Sequence, residues 1–230
     1  MKRLKLALPL AVVLSIVPFA ASAQDGGSPF SWEVTAVSDY VWRGTSQSDE
    51  NPTGQVGFTY TSPVGLYAGV WASGVDFGPG DPSYEVDGFI GYNVDLGESV
   101  NFDIMLNRYS YPDAGELNFN ELITTTTFAD TYSLTVAYSD DFGGSDTDAW
   151  YVAAGASFPL PQDFSLDLSV GRSMFEKDYS EDYTDWSIGV SRSWGLLTAS
   201  LAYIGTDGNG RDIFGELADN RLVLSLSIGQ

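Results

Sequence analysis

The sequence contains neither histidine nor cysteine. The first absence removes Ser-His and Cys-His nucleophilic catalysis together with His-ligated zinc and haem. The second removes disulfides, thiolate metal sites and iron–sulfur clusters. Basic residues are scarce as well: ten Lys and Arg stand against 31 Asp and Glu, a formal net charge of −21 over 230 residues. A chain this acidic repels a phosphate backbone, which excludes nucleic acid as a partner. What is abundant is aromatic side chain, at 14%, and glycine, with 25 residues. Disordered chains are poor in aromatics, so the composition is that of an ordered protein.

Long apolar runs are confined to the beginning. Lys2, Arg3 and Lys5 precede a run over residues 6–20, and Ala21-Ser22-Ala23 follows it. A basic stretch, an apolar stretch and an A-x-A site form the pattern of an export signal. The run is shorter than the ~20 residues a spanning helix needs, and Pro9 and Pro18 interrupt it. The reading is a signal peptide over residues 1–23, followed by one domain over 24–230.

From Phe30 onward apolar and polar residues alternate with a period of two, the mark of strands with two unlike faces. In Gln55–Ser62, Val56, Phe58 and Tyr60 take one face. In Thr131–Ser139, Tyr132, Leu134, Val136 and Tyr138 do the same, and at the C-terminus so do Leu222, Leu224, Leu226 and Ile228. Twelve such segments can be drawn, over residues 30–43, 54–62, 66–76, 83–94, 99–108, 117–127, 131–139, 149–158, 164–173, 184–193, 196–204 and 220–229. Most run to about ten residues, the length of a tilted membrane-spanning strand rather than of a soluble one. Segment 66–76 is apolar on both faces, and 117–127 carries Glu121 among residues expected to face outward.

The connections sort into two classes that alternate strictly along the chain. Five are tight or short, such as Pro63-Val64-Gly65 and Trp194-Gly195; six are long and hold more than half of the carboxylates. Outer-membrane barrels place short turns in the periplasm and longer loops outside, with an even strand number. The sequence therefore predicts an all-β, up-and-down antiparallel transmembrane barrel of about 12 strands, with both termini periplasmic. Aromatics near segment ends, among them Tyr40, Trp42, Tyr84, Tyr132, Trp150 and Trp194, fit girdles at the two membrane interfaces. The competing fold is a soluble β-sandwich, which alternates in the same way but has no reason to segregate its loops by length.

Residues 37–48, Val-Ser-Asp-Tyr-Val-Trp-Arg-Gly-Thr-Ser-Gln-Ser, resemble the opening signature of the TorF family, proteobacterial outer-membrane proteins catalogued as porins and of unknown function. The similarity continues through Pro52–Tyr60, through Gly65–Ser73 and into Tyr84-Glu85-Val86-Asp87, so it is specific over residues 37–92. The resemblance implies an outer-membrane barrel of porin type and carries no substrate with it. Many such barrels end in an aromatic residue; this chain ends Ser227-Ile228-Gly229-Gln230.

Strand parity sends Glu33, Asp39, Glu85, Asp87, Asp103 and Asp167 to the face opposite the apolar stripe, which in a lipid-embedded barrel is the lumen. Arg43 shares that parity, and an Asp39–Arg43 pair is expected, a salt bridge that fixes strand register or one that braces or constricts the bore. Arg108, Arg172 and Arg192 share parity with apolar residues but sit at segment ends, within reach of water or lipid phosphate. The stretch Thr206–Asp212 is Gly- and Asp-rich but lacks the spacing of a calcium loop, and reads as a surface loop. No residue set suggests catalysis, and none suggests a cofactor or a metal. The expected partners are outer-membrane lipid, lipopolysaccharide and small polar solutes. The predicted function is passive diffusion of such solutes, cations preferred, through a narrow lumen of small hydrophilic residues. The alternative is a closed barrel that acts through its acidic outer loops.

Overall fold

A computed structural model describes residues 28–78, 82–176 and 179–230; the expected signal peptide lies outside these. The chain forms β1 (Phe30–Val37), β2 (Val41–Trp42), β3 (Thr45–Ser46), β4 (Thr53–Thr61), β5 (Leu66–Gly74), β6 (Tyr84–Asp95) and β7 (Val100–Ser110). It continues as β8 (Phe119–Phe128), β9 (Tyr132–Ser139), β10 (Ala149–Leu160), β11 (Phe164–Phe175), β12 (Tyr183–Trp194), β13 (Leu197–Thr206), helix α1 (Gly208–Phe214) and β14 (Arg221–Gly229). All strands but β2 and β3 join in one closed antiparallel barrel, in which every neighbour in space is a neighbour in sequence and β1 closes on β14. Twelve strands make the barrel, as the sequence predicts, and among the described residues the only other sheet is the two-stranded β2–β3, so no sandwich forms.

The outward face explains the alternation. Val34, Val56, Phe58, Val70, Ile90, Leu106, Leu122, Leu134, Val170, Ile188, Leu201 and Leu224 are all exposed on it. Such a continuous exposed apolar surface is tolerated only against another apolar phase. Rings flank this band: Phe30, Tyr60, Tyr92, Phe128, Tyr132 and Trp194 towards the short turns, and Tyr84, Trp150 and Tyr203 towards the long loops. Closure satisfies every strand edge internally, which hydrocarbon demands. Both ends of the barrel chain lie on the short-turn side, where Trp32 and Gln230 exchange two backbone hydrogen bonds of 3.0 Å. This side is called the turn end below, and the other the loop end.

Eleven of the predicted segments coincide with strands to within two residues at either end. Segment 66–76 takes a definite parity, with Tyr67, Trp71 and Ser73 turned inward; in β8 it is Phe119, Glu121 and Ile123 that face in, so Glu121 is not an outward residue. The exception is the first. It was expected to run to residue 43, but β1 stops at Val37, and the chain turns into the barrel instead of continuing along its wall. Alternation persists beyond Val37 because residues 41–46 form a hairpin of their own. Tyr40 and Trp42 consequently belong to the interior and not to a girdle.

Thr206–Asp212 is also not a plain surface loop. The Asp207 side chain accepts a hydrogen bond from the Gly210 backbone N–H at 3.0 Å and caps α1. Its other oxygen accepts from the Thr184 N–H at 3.0 Å, fixing the helix over the loop end of β12.

Candidate functional site

The lumen has two unlike halves. Near the turn end its wall carries Thr125, Thr127, Ser133, Thr135, Ser157, Ser165, Asn93 and Asn101, all only partly covered. Hydroxyls and amides pair across neighbouring strands here, for example Thr125 with Thr135 at 3.1 Å and Asn93 with Asn101 at 2.9 Å. This half matches the small hydrophilic lining that was expected. The half towards the loop end does not. Phe89, Met105, Ile123, Ala137 and Tyr151 pack there as a buried cluster, which the Tyr67 ring joins from the turn end of β5. Inward glycines make room for the rings: a Cβ on Gly171 would collide with the Tyr151 hydroxyl, and one on Gly69 with the Phe89 ring.

Across this upper half lies the segment 38–52, the stretch that carries the sequence signature. At its centre is the hairpin β2–β3, whose two-residue turn is Arg43-Gly44 with φ of +48° and +81°. Two positive values in succession are what a tight antiparallel hairpin requires. Gly44 meets this without strain, and it also lies so close to the wall that a Cβ would meet Asp185 Cβ at 2.8 Å and Thr206 Cγ2 at 2.6 Å. Arg43 has no such freedom; it is held in the left-handed region by what its side chain does.

One nitrogen of the Arg43 guanidinium, Nη2, donates to both carboxylate oxygens of Glu121 at 2.8 Å. The group is sandwiched between the Trp42 ring at 4.3 Å and the Tyr151 ring at 4.1 Å. Glu121 accepts a further bond from the Tyr109 hydroxyl at 3.0 Å, and Tyr151 donates to Asp185 at 3.2 Å. The other end of the segment is tied down on a different wall. Asp39 accepts from Arg221 Nη1 at 2.7 Å and from the hydroxyls of Ser46 and Ser48 at 2.6 and 3.0 Å, while Val41 packs on Ala202, Ile204 and Val223. In the strand order β8, which carries Glu121, lies opposite β14, which carries Arg221. The two ion pairs therefore anchor the segment on opposite walls, and it spans the bore between them.

The expected Asp39–Arg43 pair does not form. Both residues lie beyond β1 and each is matched to a distant partner, because the turn at residues 43–44 carries the guanidinium away from Asp39. The remaining predicted residues face the interior from the wall. Glu33 is half-buried beside Thr35, whose hydroxyl donates to it at 3.1 Å. Asp103 accepts from the Tyr67 hydroxyl at 2.8 Å and from Asn93 at 3.2 Å. Asp167 is held by Ser157, Ser165 and Ser191 at 2.7 to 3.2 Å. Glu85 and Asp87 are fully buried on β6 behind the segment. The sequence reading missed Glu121, Asp185 and Arg221, which complete the network. The parity of Asp185 on β12 was the available signal; Arg221 stands at the first position of its strand, where parity says little.

Residues 21–225 match the model of a family described as bacterial protein of unknown function, Gcw_chp. The chain belongs to the Gcw_chp family. No curated protein matches it. Among solved structures this Gcw_chp chain is similar to the KdgM porin at 6% identity, covering 86% of this chain and 97% of that one with a TM-score of 0.57. It is similar to the NanC porin at 11% identity, with 86% and 97% covered and a TM-score of 0.56. An outer-membrane channel from Pseudomonas putida F1 is similar at 9% identity, with 91% and 98% covered and a TM-score of 0.53. At these identities the shared property is the fold: the Gcw_chp chain has the barrel architecture of outer-membrane porins. The resemblance of residues 37–92 to a porin-type family agrees with it at that level.

Proposed function

We propose that this Gcw_chp protein is a narrow outer-membrane channel for small polar solutes, cations preferred, whose upper bore is constricted by its own segment 38–52. The role is non-catalytic. The observation that carries this reading is the charge arrangement inside the barrel. Carboxylates line the wall at both levels, with Glu33, Asp103 and Asp167 towards the turn end and Glu85, Asp87, Glu121 and Asp185 towards the loop end. Among the described residues the cations facing them come from Arg43 and Arg221, each at an anchor of the segment. A wall of fixed negative charge in a low-dielectric shell raises the local cation concentration and lowers that of anions. Arg43 then acts as a tethered cation seated in the path that mobile cations would use.

Single-channel recording of the refolded protein in planar bilayers tests this. The expected result is a small cation-selective conductance that grows when residues 41–46 are replaced by a short Gly-Ser link. Anion selectivity in either protein would count against it. Silence in both would favour the closed barrel, a reading supported by the packing of Trp42 against Tyr109 and Phe142 with ring centroids 5.9 and 6.0 Å apart.

A further inference from the structure

Behind the segment, on β6 and β7, three polar side chains meet in a way that neither the constriction nor its anchors use. Glu85 and Asp87 project inward from alternate positions of β6, and Asn107 stands beside them on β7; they are 1%, 0% and 0% exposed. The two carboxyl groups stand on the same inward face of β6, two residues apart. The Tyr40 and Tyr111 hydroxyls donate to the two Glu85 oxygens at 3.3 and 3.0 Å, and Asn107 Nδ2 donates to Asp87 Oδ2 at 2.9 Å. This leaves Asp87 Oδ1 and the amide oxygen of Asn107 buried with no donor at all. Among the described residues no arginine or lysine pairs with either carboxylate; Arg43 is engaged by Glu121, Arg172 by Asp182, and Arg221 by Asp39 and Glu50.

Buried carboxylates are retained when they are paired with a positive charge or coordinate a metal. Here two of them share one buried face without a cation, and one oxygen of Asp87 and the amide oxygen of Asn107 lack partners. We propose that Glu85, Asp87 and Asn107 form a binding site for a hard divalent cation of calcium's size. Ca2+ accepts carboxylate, amide and water oxygens in a flexible geometry, whereas softer metals favour thiolate or imidazole, of which the chain has none. Among the described residues no third carboxylate joins the group, so the remaining coordination falls to water. A cavity of about 10 Å³ bordered by Glu85, Tyr40, Tyr109 and Tyr111 has room for one. Arg43 offsets the charge of Glu121, and a divalent ion would offset those of Glu85 and Asp87. Such an ion also ties β6 to β7 and, through Tyr40, to the segment. The site stands whether or not the lumen conducts.

The test uses the full-length protein refolded in detergent, freed of metal with EDTA and titrated with Ca2+ while its thermal unfolding is followed; Tb3+ emission sensitised by the neighbouring tyrosines reports occupancy. Wild type is expected to unfold at a higher temperature in Ca2+ and to show sensitised emission that Ca2+ displaces. Asp87→Asn should weaken the Ca2+ midpoint by roughly tenfold or more, since affinity follows the ligand charge count. Asp103→Asn, another lumen carboxylate, should leave it unchanged. Asn107→Asp adds a ligand charge and should tighten binding, which keeps the proposal open to test if Asp87→Asn fails to fold. Equal Ca2+ responses in wild type, Asp87→Asn and Asn107→Asp would locate binding in the acidic loops and overturn the proposal. So would a barrel indifferent to Ca2+ but stabilised as the pH falls, the behaviour of two carboxyls sharing a proton.

Discussion

Arg43 and Glu121 meet in the loop-end half of the barrel, 2.8 Å apart, each supplied by a different part of the chain and both almost wholly buried. Taking away one member of such a pair leaves a charge with no solvent and no partner, at a cost of about 3–5 kcal/mol. Arg43→Met alone is expected to destabilise the barrel by that order, read from urea unfolding in micelles by tryptophan fluorescence. Arg43→Met combined with Glu121→Leu should recover most of the loss, because an apolar pair carries no desolvation penalty. If the double variant is as unstable as the single one, the pair is not what holds the segment.

Gly44 tests the same segment through its backbone. With φ at +81° and the wall within 2.8 Å of the place where a Cβ would be, Gly44→Ala combines torsional strain with a steric clash, together of order 1–3 kcal/mol. The barrel wall does not depend on this turn. Limited proteolysis should therefore cut the variant within residues 38–52 while the rest of the barrel stays resistant. Unchanged resistance of the segment would mean that the turn is not as drawn.

The two faces of the barrel differ in what they tolerate. Leu224 faces outward in the apolar band, opposite Leu201 on β13, and Leu224→Arg should cost about 2–4 kcal/mol of folding into bilayers. Thr135 faces the hydrophilic half of the lumen, so Thr135→Arg should fold nearly as well as wild type. In bilayer recordings it should instead lower cation preference.

Asp167 is held by three serines at the wall of the turn half. Asp167→Asn is expected to fold normally and to shift the reversal potential in a salt gradient towards zero. The shift should be larger in dilute salt than at 1 M, where the Debye length falls to about 3 Å. An unaltered reversal potential at low salt would remove Asp167 from the conducting path.

Most of the wall was legible in the sequence because a barrel in lipid leaves its two environments printed on alternate residues. Val56, Phe58 and Tyr60 have nowhere to go but outward, and the same holds along each later strand. The lumen was legible only by subtraction, as whatever faced away from lipid. That sufficed for Asp103 and Asp167. It missed that Phe89, Met105 and Ile123 also face inward, because an apolar residue gives no sign of whether it meets lipid or an aromatic plug. The segment was hidden for a related reason. Tyr40, Val41 and Trp42 continue the alternation of β1, and only the Arg43-Gly44 turn, less telling than an Asn-Gly, breaks it. Pairings such as Arg43 with Glu121 depend on which strands face each other across the bore, and periodicity along a single chain holds no record of that.

The account rests on a lumen divided between a wet half and a half filled by residues 38–52, and the absence of native cysteine allows a direct measurement. Thr135 and Ala137 are successive inward positions of β9; the first is partly open and the second 1% exposed. Reaction of Thr135→Cys and Ala137→Cys with a charged, membrane-impermeant thiol reagent in vesicles should be fast for the first and slow for the second. Replacing residues 41–46 by a short link should speed the second. Equal rates at the two positions, or an Ala137→Cys rate indifferent to the loss of residues 41–46, would contradict the division.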